Sequence, residues 1–295
     1  MTTSALLVTG ASGQLGRQVL DDLLARKVQG SIIATTRNPE SLAAYAAKGI
    51  EVRQADFEGD PGALAKAFSG ASRALLISTD ALDKPGRRLA QHRAAIKAFE
   101  AAGVKHVVYT SLTNPYAESP ILIAPDHRES EAALAASRLE FTVLRNNLYI
   151  DLLVGSLPHV LASGKLVDAR GTGATGFVTR QDCALAAAAA LSSPYSGRRT
   201  LEITGPAAVT SAQVATWLTE LSGKPVQHVS VSPEAFTAGL IEHGLPAPLA
   251  AVIASFDVAV TKGDLAVVTS AVKELTGREP QTVRDFLAAQ RATFN

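Results

Sequence analysis

Residues 5–16 read Ala-Leu-Leu-Val-Thr-Gly-Ala-Ser-Gly-Gln-Leu-Gly, an apolar run that passes into a loop with a glycine at every third position. Gly10 permits a tight turn, Gly13 lets the backbone come close to a diphosphate, and Gly16 lets the helix-like segment 17–25 pack against the strand. The N-terminus of that helix offers N–H groups and the positive end of its dipole to phosphate oxygens. The stretch therefore predicts a dinucleotide-binding loop that consists of Gly10, Ala11, Ser12, Gly13, Gln14, Leu15 and Gly16.

The glycine spacing is Gly-x-x-Gly-x-x-Gly, which matches the dinucleotide fingerprint Gly-x-Gly-x-x-Gly only in part. The alternative is a structural turn between a strand and a helix in some other α/β protein. The apolar strand before the loop and the helix after it supply the context that a phosphate site requires, so they favour dinucleotide binding.

Strands and helices alternate through the first half of the chain. Strands are predicted at residues 5–9, 31–36, 51–55, 73–78, 106–111 and 141–144, and the helical segments between them include 61–68 and 87–102. Several of these strands are apolar almost throughout, as expected when helices cover both faces of a sheet. The sequence therefore predicts an α/β fold with a doubly wound parallel sheet of the Rossmann type, whose ligands lie beyond the carboxyl ends of the strands.

The composition excludes several classes of partner. There are 28 Lys and Arg against 27 Asp and Glu, and the resulting net charge of +1 gives no electrostatic footprint for nucleic acid. The longest apolar run, 183–191, is too short to cross a bilayer and no charged leader precedes the first strand, so we expect a cytoplasmic protein that binds small molecules and no membrane. Cys183 is the single cysteine; we expect it to be buried in a helix, and we expect no metal site.

The residue that follows the second strand bears on the choice of dinucleotide. Folds that prefer NAD usually place Asp or Glu there to bind the ribose hydroxyls, whereas this chain has Arg37. A guanidinium pairs with a 2′-phosphate that a carboxylate would repel, so Arg37 favours NADP(H) as the cofactor. The alternative is an exposed arginine in a turn.

Further candidates for the cofactor site follow the third and fourth strands. Asp56 is suited to accept from the adenine amino group and Phe57 to flank the adenine ring, although an Asp that opens a turn before Gly59 is the alternative. Ser78 and Thr79 end the fourth strand, near the expected path of the nicotinamide ribose.

Five segments together resemble one protein family. They are the loop 10–16, the turn 37–39, residues 54–56 and the segments 106–112 and 144–151. With Ser111 at the tip of the fifth strand, they resemble the atypical short-chain dehydrogenases of the NmrA-like branch, and in particular the bacterial NADPH:quinone oxidoreductases (type 2) and the triphenylmethane reductases. The resemblance extends over the whole chain, and it implies a Rossmann fold and NADP(H).

The same resemblance implies further cofactor contacts. Tyr109 and Thr110 precede Ser111 at the end of the fifth strand, and Asn146 and Asn147 follow the sixth strand, where contacts to the nicotinamide end are expected. The alternative for the two asparagines is a loop whose amides bond its own backbone.

The helix after the fifth strand departs from the ordinary short-chain dehydrogenase pattern. Those enzymes pair their serine with Tyr-x-x-x-Lys, whose tyrosine is the general acid and whose lysine lowers its pKa. Here the helix predicted from about Asp126 carries His127 and Glu131 one turn apart, and no lysine is available. Glu131 is expected to raise the pKa of His127. These residues disfavour the reduction of simple ketones.

Quinone reduction tolerates the loss of a strong acid, because the product anion is delocalised and the protein mainly holds donor and acceptor in contact. The catalytic candidates are Tyr149, whose hydroxyl can donate to a quinone oxygen, Ser111 and His127. A helix-surface or capping role is the alternative for His127.

The alternation of strands and helices loosens in the second half. Residues 1–150 are predicted to form an NADP-binding Rossmann domain, which about 176–204 rejoins through a last strand at 199–204, and 151–295 a smaller, mainly helical C-terminal substrate-binding lobe. Lobe helices are predicted at 210–222, 233–243, 248–260, 265–274 and 282–292. The glycine-rich loop 171–176 is expected to be a flexible substrate-side loop rather than a second phosphate site.

Two functions fit these residues. The first is an NADPH-dependent oxidoreductase that transfers hydride to quinones or similar conjugated aromatic acceptors. The alternative is an NmrA-like redox sensor that binds NADP(H) without turnover and regulates a partner protein. Either is expected as a monomer or a homodimer.

Overall fold

The computed structural model describes residues 5–294. The strands are β1 (Ala5–Val8), β2 (Ile32–Thr36), β3 (Glu51–Gln54), β4 (Ala71–Leu76), β5 (His106–Leu112), β6 (Glu140–Asn146), β7 (Lys165–Asp168), β8 (Ala174–Thr175), β9 (Arg198–Ile203), β10 (Val209–Thr210) and β11 (Gln227–Ser230). The α-helices are α1 (Gln14–Ala25), α2 (Ala43–Ala46), α3 (Pro61–Phe68), α4 (Arg87–Ala102), α5 (Ala124–Ala136), α6 (Leu157–Ser163), α7 (Arg180–Ser192), α8 (Ser211–Ser222), α9 (Pro233–Glu242), α10 (Ala247–Thr261), α11 (Ala271–Thr276) and α12 (Val283–Ala289). Short 3₁₀ helices span Pro39–Leu42, Ile150–Ser156 and Arg291–Thr293.

The main sheet has seven strands in the order β3-β2-β1-β4-β5-β6-β9. β1 pairs in parallel with β2 and β4, and the outer pairs β2–β3 and β4–β5 are parallel as well. The chain moves outward from β1 through β2 to β3 and then returns to β4 on the other side of β1. The predicted doubly wound parallel sheet is therefore confirmed, and its strand order reverses between β1 and β4, where such sheets bind ligands.

Two helices have the bounds that the sequence predicts, because residues at their ends stop or start them. The Asp60 side chain accepts from the backbone N–H of Ala63 at 2.7 Å, and Pro61 occupies the first turn of α3. α4 ends at Gly103, whose φ of 78° is the left-handed conformation of a helix C-terminus. The predicted last strand at 199–204 is also present, as β9.

The described part of the chain falls into two compact units. The first comprises the residues up to Ser111, with Asp126–Arg145 and Cys183–Leu201; the second comprises Leu112–Pro125, Asn146–Asp182 and the residues from Glu202 onward. In the first unit the rings of Phe68 and Phe99 stack with centroids 4.6 Å apart beneath the sheet, and both are fully buried. Burial of each such side chain contributes roughly 1.5–3 kcal/mol, so this core anchors the strands that carry the site.

The second unit contains two small sheets that the sequence does not predict. β7 pairs in parallel with β11, and β8 pairs antiparallel with β10. These strands have only four or two residues, which is too short for an alternating pattern to be recognised. The lobe is thus helical with small strands added.

The prediction of a helix at 265–274 is wrong for residues 265–270, since α11 begins at Ala271. The backbone of the preceding residues bonds to other segments of the second unit instead of to itself. The carbonyl of Leu265 accepts from the N–H of Gly176 at 2.8 Å, and the N–H of Thr269 donates to Thr204 Oγ1 at 2.9 Å. Tertiary hydrogen bonds therefore override the helical appearance of this apolar stretch.

The glycine-rich loop 171–176 is packed rather than flexible, contrary to the expectation. A Cβ added at Gly173 would lie 2.4 Å from the carbonyl oxygen of Val260, and one added at Gly176 would lie 2.1 Å from that of Val267. Both glycines therefore allow two backbones to approach closely within the second unit.

Cys183 is buried in α7, as predicted. Between residues 5 and 294 no helix combines the length and the apolar character that crossing a membrane requires. Over the same range, no three His, Cys, Asp or Glu side chains come together in a way that would hold a metal ion.

Three histidines lie inside the first unit, namely His92, His106 and His127, and each exposes 2% or less of its surface. Burial is the main cause that lowers their pKa values, to about 3 for His92 and about 4 for His106. Burial also holds the pKa of His127 well below its ordinary value, and the Arg88 charge acts in the same direction. All three rings are therefore neutral in the folded protein near neutral pH.

We expect the free energy of unfolding to fall as the pH drops below about 6.5. The histidines of the unfolded chain then take up protons, whereas the buried rings of the folded protein stay neutral. Each buried histidine lowers the free energy of unfolding by up to about 1.4 kcal/mol per pH unit, until the pH reaches its pKa in the folded state. Urea unfolding between about pH 7 and pH 5 measures this slope. His106→Gln should reduce the slope, whereas His159→Gln, at an exposed position, should leave it unchanged. A stability that does not vary over this range would contradict the prediction.

Candidate functional site

The glycine loop has the geometry of a phosphate cradle. Gly10 adopts a φ of 58°, which only glycine takes up readily, and a Cβ added at Gly16 would lie 2.4 Å from the Gly10 carbonyl oxygen and 2.7 Å from Ala11 Cα. Gly13 occupies the cap position of α1 and brings no side chain to the first N–H groups of that helix. Since no side chain of the loop fills the cradle, its backbone fits a diphosphate.

The remaining loop residues connect the cradle to β2. The N–H of Ala11 donates to the Thr35 carbonyl at 3.2 Å, and the hydroxyls of Ser12 and Thr36 lie 2.9 Å apart. Gln14 and Leu15 open α1, and Leu15 is buried. The loop is thus held against the end of β2, where Arg37 follows.

Arg17 supports the loop, and the sequence analysis did not single it out. Its Nε donates to the carbonyl of Ser12 at 2.9 Å and its Nη2 to the carbonyl of Ser41 at 2.8 Å. One side chain therefore ties the glycine loop to the turn after β2. An arginine directly after the third glycine is the signal that could have identified it.

Arg37 is exposed after β2, and its guanidinium makes no hydrogen bond or ion pair with residues 5–294. Gln54, at the end of β3, donates to the Arg37 carbonyl at 3.3 Å and fixes its backbone. The charged group thus projects from a fixed base, as binding of an external phosphate requires.

Asp56 and Phe57 have structural partners in the turn after β3. Asp56 Oδ1 accepts from the Glu58 N–H at 3.0 Å, and the Asp56 carbonyl accepts from Gly59 at 3.1 Å, so the turn-opening alternative is present. The Phe57 ring meets the Phe68 ring edge-on at 6.4 Å. Adenine contacts of both residues stay predictions.

Ser78 and Thr79 lie beyond β4, and their backbone N–H groups are both held by side chains. The Ser78 N–H donates to Thr110 Oγ1 at 2.9 Å, and the Thr79 N–H donates to His92 Nε2 at 3.0 Å. Thr79 Oγ1 is buried and has no partner among residues 5–294. A buried hydroxyl of this kind needs a hydrogen-bond partner, which a ribose hydroxyl would supply.

His127 does not lie on the helix surface. Its Nε2 faces the Arg88 guanidinium at 2.8 Å and its Nδ1 faces the Tyr109 hydroxyl at 2.9 Å. Because arginine only donates, Nε2 accepts, and the neutral ring carries its proton on Nδ1 and donates to Tyr109 Oη. Both nitrogens are therefore engaged inside the first unit.

The expected effect of Glu131 on His127 is wrong, because the pKa of His127 is lowered by burial and by Arg88, not raised. The Tyr109 ring is fully buried, and burial raises the pKa of its phenol. The Tyr109 hydroxyl is hydrogen-bonded to the buried His127 ring. Only the backbone of Tyr109 is therefore left to contact a cofactor.

Glu131 binds Ser111 and Arg145 instead. Ser111 Oγ donates to Glu131 Oε1 at 2.6 Å, and the Arg145 guanidinium holds both carboxylate oxygens, at 3.0 Å and 2.6 Å. The Ser111 proton is thereby directed to the carboxylate, and its lone pairs remain to accept from a ligand. This ion pair is not apparent from the sequence, because Arg145 lies on β6, 14 residues after Glu131 on α5.

In the second unit, Asn146 and Tyr149 form a pair. Asn146 Nδ2 donates to Tyr149 Oη at 2.9 Å, while Asn146 Oδ1 is buried without a partner among the described residues. The Arg180 guanidinium lies 5.3 Å from the centre of the Tyr149 ring and pairs with Asp151 at 3.3 Å. An unpartnered buried amide oxygen fits a ligand donor such as a carboxamide N–H₂.

Asn147 serves the backbone of the second unit. Its Nδ2 donates to the Leu265 carbonyl at 3.0 Å and its Oδ1 accepts from the Leu148 N–H at 2.8 Å. The alternative that the sequence left open, an amide bonded to backbone groups, is therefore observed for Asn147. Both polar atoms of its side chain have backbone partners.

The comparisons with known proteins agree with this geometry. A model of the family described as NAD(P)H-binding matches residues 10–194. Quinone oxidoreductase 2 of Escherichia coli (strain K12) is 39% identical over 283 residues, which cover 96% of this chain and 97% of that protein. The crystal structure of NADPH-dependent quinone oxidoreductase from Escherichia coli complexed with NADPH is similar with a TM-score of 0.90 and 38% identity, over 98% of this chain and 100% of that one.

A second similar structure is the Citrobacter sp. triphenylmethane reductase complexed with NADP(H), with a TM-score of 0.88 and 34% identity over 97% of this chain and 99% of that one. These matches confirm the resemblance that the segments 10–16, 106–112 and 144–151 indicate. The family match covers more than half of the sequence and includes the glycine cradle, so this chain belongs to the NAD(P)H-binding family.

Proposed function

We propose that this protein is an NADPH-dependent oxidoreductase that reduces quinones or similar conjugated aromatic acceptors. The observation that carries the proposal is the combination of a bare glycine cradle with the projecting Arg37 guanidinium, in a chain similar over nearly its whole length to quinone oxidoreductase 2. The proposal also includes a quinone or similar conjugated aromatic compound as the natural acceptor, a monomeric or homodimeric state and a cytoplasmic location.

The first unit would hold the cofactor. The N–H groups of the glycine loop would bind the diphosphate, Arg37 the 2′-phosphate, and Thr79 a ribose hydroxyl. In the second unit, Asn146 Oδ1, which is buried without a partner among the described residues, would accept a hydrogen bond from a ligand donor. When bound, NADPH supplies a hydride from its nicotinamide C4.

Tyr149 is the residue that we propose as proton donor to the acceptor. Asn146 Nδ2 orients its hydroxyl, and the Arg180 guanidinium holds its ring. Reduction of a quinone to the hydroquinone takes up one hydride and one proton, and Tyr149 Oη would deliver that proton to a quinone oxygen. Ser111 would accept a hydrogen bond from the ligand, and His127 would act by positioning Tyr109.

The sensor alternative is not favoured. Relatives that match over most of this chain include a quinone oxidoreductase and the NAD(P)H azoreductase of Xenophilus azovorans. Tight NADP(H) binding without oxidation in the presence of every acceptor tested below would return the sensor to consideration.

Arg37→Glu should weaken NADPH binding by about tenfold to a hundredfold, because one charge-assisted hydrogen bond of about 1.5–3 kcal/mol is lost and a like charge faces the phosphate. NADH binding should change little. Fluorescence titration with both dinucleotides measures the two dissociation constants. Arg138→Glu, at an exposed arginine that ends no strand of the main sheet, is the matched control. Unchanged NADPH affinity in Arg37→Glu would refute the NADP(H) assignment.

Tyr149→Phe should lower kcat/KM for quinones about tenfold, since one hydrogen bond to the transition state is removed, and should leave the NADPH dissociation constant unchanged. NADPH oxidation is followed with benzoquinone, a naphthoquinone, a triphenylmethane dye and a simple ketone. The wild type should turn over the first three and not the ketone. Tyr195→Phe serves as the control. It removes a phenolic hydroxyl from a ring beside His106, which lies at the end of β5 opposite to Ser111. Equal activity of the two variants would exclude Tyr149 as donor.

A further inference from the structure

A cluster of charges beyond β3 lies outside the contacts assigned above. Arg87, the first residue of α4, grips both oxygens of Glu58, with Nε 2.5 Å from Oε1 and Nη2 2.6 Å from Oε2. Its remaining Nη1 lies 2.7 Å from Asp83 Oδ2. Gln91, one turn later on α4, donates to Glu58 Oε1 at 3.1 Å. The Glu58 carboxylate is thus held by a two-pronged ion pair and one neutral donor.

This carboxylate lies where it can affect the binding of a phosphate. Glu58 comes two residues after Asp56, whose side chain fixes the Glu58 N–H. Gln54 links the same strand end to Arg37, and the Arg37 charge acts on Glu58, whose pKa is held at about 2, mainly by its hydrogen bonds with Arg87. The turn that carries Glu58 is therefore joined to the backbone of Arg37 through Gln54, although the Arg37 and Glu58 side chains form no ion pair.

An acid near the adenosine ribose is the feature that normally selects against a 2′-phosphate. A carboxylate at Glu58 without a partner would act in two ways: it would repel the phosphate, and it would attract the Arg37 guanidinium away from it. The ion pair with Arg87 weakens both effects, because the Arg87 charge offsets that of the carboxylate and both carboxylate oxygens accept hydrogen bonds.

We propose that Arg87 is a specificity-determining positioning residue, which holds Glu58 in an ion pair and so leaves Arg37 available for the 2′-phosphate of NADP(H). The proposal rests on the proposed function, since it requires that Arg37 binds that phosphate. Arg87 acts through Glu58 and need not touch the cofactor.

The test compares 2′,5′-ADP with 5′-AMP, which differ only in the 2′-phosphate, by isothermal titration at one low salt concentration. Arg87→Gln should weaken the binding of 2′,5′-ADP about two- to fivefold, in line with a surface ion pair gained between Arg37 and Glu58, and should leave the binding of 5′-AMP unchanged. Adding Glu58→Gln to Arg87→Gln should restore wild-type affinity. This rescue separates the proposed role from loss of a direct contact or of order in the loop before α4.

Two conservative variants serve as controls. Arg87→Lys keeps the charge, and Asp83→Asn removes the other partner of Arg87 without exposing Glu58, so both should bind 2′,5′-ADP nearly as the wild type does. Thermal unfolding of each variant establishes that it is folded.

Undiminished 2′,5′-ADP binding by Arg87→Gln would overturn the proposal, and so would a double variant as weak as Arg87→Gln alone. If the wild type binds 2′,5′-ADP and 5′-AMP equally, the NADP(H) preference itself fails and the role of Arg87 fails with it. That outcome is distinguishable, because it is seen before Arg87 is altered.

Discussion

The close approach of α1 to the loop after β1 is the constraint on which the candidate site depends. A Cβ at Gly16 would overlap the backbone of Gly10, so only glycine lets the helix start where it does. That start brings the uncapped N–H groups of α1 to the loop surface and fixes Ser12, whose hydroxyl meets Thr36 next to Arg37. The proposed diphosphate and 2′-phosphate contacts thus depend on one backbone contact.

The sequence predicts the main sheet because its elements are specified locally. Apolar strands of four to seven residues alternate with helices whose ends carry signals such as Asp60 and Gly103. The same local reasoning fails at residues 265–270, where Gly176 and Thr204 take the backbone hydrogen bonds that a helix would use. It also fails for β7 and β11, since their pairing joins segments about sixty residues apart.

Within the site, the sequence predicts where a residue lies when the end of a strand decides its position. The loop glycines after β1 and Arg37 after β2 are of this kind, and their contacts with a cofactor stay predictions. His127 and Glu131 were predicted to interact because they share a helix face, yet each is drawn to a different partner on β5 or β6. Burial decides the state of His127, and burial is a property of the assembled core rather than of helical spacing.

The division of the chain into two units has a consequence for how this architecture changes over evolution. The chain crosses between the units five times, after residues 111, 125, 145, 182 and 201. Neither unit is therefore one continuous stretch that recombination could exchange as a module. Exchange of either unit would require several separate segments of the chain to be replaced together.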